Sequence, residues 1–280
     1  MPTLALSILI VIGCVTSIRI DTGQAAKCHR LRGGQDDLDD PEALGLRAQD
    51  RTGRMTREEV LEKLNKVPAF CIMLGDGSVI SLPDRNGADG DECCTWFLDA
   101  AEAAKTFNLV KAANPDDKGL RLVAHGLGDA LVQCGGMPGD PGSSYEGKLI
   151  LAADKNLVAP IQSALINALK QDGIDPGAWQ VPMFIGEELA QAGAEGEQRA
   201  LPIFLSPYDL RDAYTQAGVL EGSSAAQTGP KVLELRMLVK YMLDEPKEYP
   251  NAWRAVEFHP TANAKKLVGR IAEAEAEVQG

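Results

Sequence analysis

The sequence predicts an α/β protein built as two pseudo-symmetric lobes, each a small mixed β-sheet with helices packed on it. Three observations carry that reading. Short apolar, β-branched runs alternate with segments of helical periodicity. Four of these elements return in the same order about 105–114 residues further along the chain. The elements also carry capping and turn residues where their ends should fall.

Val67-Pro68-Ala69-Phe70 returns as Val181-Pro182-Met183-Phe184, 114 residues on. Trp96-Phe97-Leu98-Asp99 returns as Ile203-Phe204-Leu205-Ser206, 107 residues on. Arg121–Ala124 can be laid on Lys231–Glu234 at an offset of 110, and Leu149–Leu151 on Ala255–Phe258 at 105, with Leu151 on Val256. This divides the chain into residues 1–54, a leader and linker; 55–175, a first lobe; and 176–280, a second, each lobe near ordinary domain size.

In chain order, Thr56 and Glu59 make a capping box for a helix running through Lys66. Val67–Leu74 and Val79–Leu82 flank Gly75-Asp76-Gly77 and read as a hairpin. Pro68 and Pro182 stand near strand starts, where a missing N–H is tolerated. The strand ending at Leu98 meets Asp99 and Glu102, and the one ending at Leu205 meets Ser206, Pro207 and Asp209; both are helix starts, because a side-chain oxygen there satisfies orphan amides. Arg121–Ala124 and Val232–Leu235 read as strands leading into helices. The second of those helices carries a core-facing stripe of Met237, Leu238, Tyr241 and Met242. Leu149–Ala152 and Val256–Phe258 close each unit ahead of helices at about 156–170 and 262–276. Gly135–Ser144 reads as an exposed loop, and Gly218–Pro230 as its counterpart.

Ahead of all this, residues 4–18 form an apolar stretch of signal-peptide length, shorter than a spanning helix needs. Its n-region has no basic side chain. Residues 19–54 show no apolar periodicity and read as a linker or second targeting segment, with an acidic run from Asp36 to Glu42.

Composition narrows the function. A net charge of −12 and the absence of Lys/Arg clusters exclude a phosphate-binding surface, and with it nucleic acid. The acidity serves solubility first. The six cysteines, Cys14, Cys28, Cys71, Cys93, Cys94 and Cys134, include no C-x-x-C pair, and the three histidines do not complete a metal set. Cys93 and Cys94, adjacent on a strand, point to opposite faces and cannot easily pair. No nucleophile elbow, Walker loop, H-E-x-x-H or complete G-x-G-x-x-G is present. His125 precedes Gly126-Leu127-Gly128 without a catalytic partner and reads as a packing or surface residue, while His259, before Pro260, reads as part of a helix start. No cofactor, metal or small-molecule substrate is expected, and no enzymatic activity.

The repeated V-P-x-F strand, the F-L-[SD] strand end before a capped helix, and the closing F-x-P turn together resemble the Tic twenty-two family. The likeness is densest in Trp179–Phe184, Arg199–Leu210 and Val256–Pro260, and it spans about residues 57–272. The first lobe departs from the pattern at Trp96 and Asp99 and in the glycine-rich stretches after Gly75 and Gly135. The resemblance implies a soluble protein between plastid envelope membranes that assists precursor passage in a chaperone-like or tethering way. Its partners would be precursor polypeptides and translocon subunits, with peripheral membrane association open. The family-motif residues Val67, Pro68, Phe70, Phe97, Val181, Pro182, Phe184, Pro202, Phe204 and Pro260 are expected to be structural. Two other readings stay open: a secreted or periplasm-like chaperone without a plastid role, and a thiol oxidoreductase using Cys93 or Cys94.

Overall fold

The computed structural model describes residues 18–19, 55–83, 91–138, 148–186, 189, 200–218, 231–244 and 252–279. The leader and nearly all of the segment before Met55 lie outside the described residues. So do most of the stretch from Gly135 to Ser144 and all but the first residue of the stretch from Gly218 to Pro230.

The first sheet is seven-stranded. Its frame is β2 (Pro68–Met73), β5 (Glu92–Phe97), β6 (Arg121–Gly126) and β7 (Lys148–Ala152). β6 pairs antiparallel with β2, β2 antiparallel with β5 through Phe70 and Phe97, and β5 parallel with β7. β3 (Ser78–Val79) joins the end of β2, and β4 (Ser81–Pro83) joins the start of β5. The turn between β2 and β3 is closed by Asp76, whose carboxylate accepts from Ser78 N and Oγ. A two-residue strand, β1 (Ile18–Arg19), pairs with β3. The second sheet is four-stranded, in the order β10 (Lys231–Glu234), β8 (Pro182–Ile185), β9 (Leu201–Phe204), β11 (Val256–His259). Its pairings run antiparallel, antiparallel, parallel, with Phe184 opposite Phe204.

The order and sense of β6-β2-β5-β7 are thus those of β10-β8-β9-β11, with a Phe–Phe pair at the centre of each. The paired registers correct two of the sequence offsets. Pro68 faces Gly126 as Pro182 faces Glu234, so β6 matches β10 at an offset of 108 rather than 110. Phe97 faces Ala152 as Phe204 faces His259, so β7 matches β11 at 107 rather than 105. A slip of two residues keeps every side chain on the same face, so alternation could not detect it.

Three helices sit against the inner faces of both sheets: α1 (Arg57–Leu64), α3 (Leu127–Gln133) and α7 (Leu235–Leu243). One apolar cluster runs through Leu64, Cys71, Trp96, Leu127, Leu131 and Leu151 into Met183, Ile203, Leu238, Met242 and Phe258. It therefore draws on both sheets. The outer face of the first sheet, Phe70 and Phe97, is covered by Ala100 and Ala103 of α2 (Ala100–Ala113) and by Ala264 and Leu267 of α8 (Ala262–Gln279). The outer face of the second, Phe184 and Phe204, is covered by Leu210 and Tyr214 of α6 (Pro207–Gln216), with Leu157 of α4 (Lys155–Val158) against it. α5 (Gln162–Gln171) packs on β10. The helices that follow the fourth strand of each half thus lie on the other half's sheet.

The ends follow the capping chemistry. Thr56 Oγ1 accepts from Glu59 N and the Glu59 carboxylate accepts from Thr56 N. Asp99 caps α2 through Ala101 N, and Ser206 caps α6 ahead of Pro207. Three expectations need correction. The helix expected at 156–170 is two, α4 and α5, because Pro160 cannot donate to a helical carbonyl. His259 does not start α8: it is the last residue of β11 and stacks on Phe204 at 4.8 Å, while Thr261 Oγ1 accepts from Ala264 N. In the stretch expected to be an exposed loop, Gly136 and Met137 are buried, because glycine at 136 lets Leu131 and Trp179 close over it.

The outer Phe pairs should be worth the cost of emptying a packed site. Phe70→Ala and Phe204→Ala are each expected to lose about 3–5 kcal/mol of unfolding free energy in urea denaturation, whereas Leu109→Ala, on an exposed position, should stay within about 0.5 kcal/mol. Equal small losses at all three would contradict this packing.

Candidate functional site

The ten family-motif positions lie in the frame of the sheets. Val67 and Val181 are buried, and their carbonyls accept from Leu127 N and Leu235 N at 2.8 and 2.9 Å, tying each first strand to the helix that follows the third. Pro68 and Pro182 open β2 and β8. Phe70 meets Phe97, and Phe184 meets Phe204. Pro202 lies within β9 and its carbonyl accepts from Gly186 N, and Pro260 follows β11.

None of the ten lines the apolar groove between α5 and the β10–α7 corner. Its walls are Ile161, Ala164, Leu165 and Ala168 on one side and Val232, Leu233, Glu234 and Met237 on the other, enclosing about 260 Å³. No single sequence window could have shown it, since its walls come from segments about 65 residues apart.

One of the lining residues, Glu234, is fully buried. Glu234 is the N-cap of α7 and accepts from Arg236 N at 2.7 Å, from Val181 N at 3.3 Å and from Arg236 Nε at 3.2 Å. Burial pushes its carboxyl above the usual range, and Arg236 pulls it back. The Arg236 guanidinium then donates to the carbonyls of Asp175, Pro176 and Trp179 at 2.8–2.9 Å and lies over the Trp179 ring at 4.3 Å. Lys240, one turn on, donates to Asp172 O at the C-terminal end of α5. Lys240 thus holds the carbonyl end of the helix that forms the groove's far wall, where a positive charge also suits the helix dipole, and Arg236 holds the loop that follows it. In the first half the same junction is made differently. Gly126 stands where Glu234 stands, and a Cβ there would collide with Asn65 Oδ1, which accepts from Asp129 N while Asn65 Nδ2 donates back to Asp129.

A second, polar cleft of about 220 Å³ is lined by Met55, Glu59, Glu62, Lys63, Lys66 and Arg254. Several of its charges are engaged internally: Arg254 pairs with Glu59 at 2.9 Å, and Lys63 donates to Val256 O.

Among the described residues, no group of three or more His, Cys, Asp or Glu is arranged to hold a metal ion. Cys71, Cys93 and Cys94 are buried, and desolvation pushes the Cys71 thiol up to about 12. His125 meets Trp96 edge-on at 5.3 Å, and burial lowers its pKa. Asp209 and Asp212 sit on α6, Asp209 half-buried with its carboxyl pushed up by desolvation and Asp212 exposed.

Breaking the Glu234–Arg236 pair from one side leaves a buried charge without its counter-ion. Arg236→Met is expected to cost about 3–5 kcal/mol in urea denaturation, and the double variant Glu234→Gln/Arg236→Met distinctly less than the sum of the two single changes. Additive costs would show that the two side chains do not depend on each other.

No protein-family model and no curated protein matches the sequence. Solved structures that resemble the fold include two Tic22 proteins. Anabaena Tic22, a protein of protein transport, is 18% identical over 77% of this chain and 97% of its own, with a TM-score of 0.49. Tic22 from Plasmodium falciparum is 16% identical over 77% of this chain and 98% of its own, with a TM-score of 0.50. At that identity the likeness to the Plasmodium protein is one of overall fold.

Proposed function

We propose that this chain is a non-enzymatic, protein-binding factor of protein import into plastids. In this reading it is a soluble chaperone-like or tethering component between envelope membranes, reached through a secretory-type leader and a transit-like segment. Precursor polypeptides and translocon subunits are its partners. The observation that carries the proposal is the fold likeness to Tic22 from Plasmodium falciparum, which takes in 98% of that protein. The order of V-P-x-F, F-L-[SD] and F-x-P motifs along the sequence points the same way.

The groove between α5 and β10 supports a polypeptide partner over a charged one. Its lining is apolar except for Glu234, and that carboxylate is engaged by Arg236. Apolar side chains of an unfolded segment would suit such a surface, whereas an anionic or cationic ligand finds no free counter-charge in the lining.

We also infer that the two sheets descend from one repeated unit. The support is the common strand order, the Phe–Phe pair in each sheet, and the equivalent Val67–Leu127 and Val181–Leu235 backbone bonds.

The destination of the protein tests the import proposal. A fluorescent fusion to residues 1–60 and a fusion to the full chain, expressed in a cell with a multiply bounded plastid, should both form a ring around the organelle. Export of both from the cell would overturn the plastid role and leave the fold untouched. The chemistry is tested separately. In the folded protein at pH 8, Cys71, Cys93 and Cys94 should resist alkylation, as read by peptide mass spectrometry, and should label fully in denaturant. Rapid labelling of Cys93 or Cys94 in the native protein would revive the thiol oxidoreductase reading.

A further inference from the structure

We draw no further inference here: the strongest candidate, the apolar groove between α5 and the β10–α7 corner, carries nothing beyond the function already proposed, because nothing among the described residues shows what covers it.

Discussion

The arrangement depends on one constraint: two small sheets share a single inner apolar layer. A four-stranded sheet of four-residue strands, such as β10-β8-β9-β11, has little surface of its own to bury. Here its inner face, Val181, Met183, Ile203, Val256 and Phe258, joins that of the first sheet through α1, α3 and α7. Leu235, Leu238, Val239 and Met242 of α7 and Leu127, Ala130 and Leu131 of α3 belong to the same cluster. Neither sheet is completed by its own residues on the outside either. α8, which follows the last strand, lies on Phe70 and Phe97, and Leu157 of α4, which follows β7, lies against Phe184 and Phe204.

The junction between α5 and α7 shows how polar chemistry is fitted into that apolar frame. Burying a carboxylate and a guanidinium is costly unless nearly every donor and acceptor is used. Glu234 and Arg236 meet the condition by engaging one backbone amide and three backbone carbonyls of the passage from α5 into β8, together with the first free amide of α7. The pair therefore sets the entry to β8, while Lys240 holds the end of the groove's outer wall. The first half reaches the same end with Gly126, Asn65 and Asp129 and no buried charge. Two chemically different fastenings in one place mean that position is dictated by the fold and the residue choice is not.

Much of the frame is legible in the sequence, for reasons visible in particular residues. Thr56 with Glu59, Asp99, and Ser206 with Pro207 announce helix starts because orphan amides need an acceptor. The V-P-x-F runs announce strands because they are apolar on successive positions, and β2 and β8 are indeed buried along nearly all their length. The offsets of the third and fourth strands read two residues out, since alternation repeats every two residues and the pattern cannot choose between such registers. Pro160 breaks a run whose apolar spacing otherwise reads as one helix, and the missing amide outweighs that spacing. The Glu234–Arg236 pair and the groove cannot be read at all. Glu234 and Arg236 look like ordinary charges of a helix start, and what they touch lies about 60 residues earlier in the chain.

If the inner layer is truly shared, the two sheets cannot unfold one after the other, because removing either exposes the apolar face of the other. The direct measurement is urea unfolding of single-tryptophan variants, one keeping Trp96 in the first sheet and the other keeping Trp253, which stacks on Tyr241 of α7 ahead of β11. Shared packing predicts transitions with the same midpoint and the same slope for both reporters. Two separated transitions would show that each sheet carries its own core and would contradict the account.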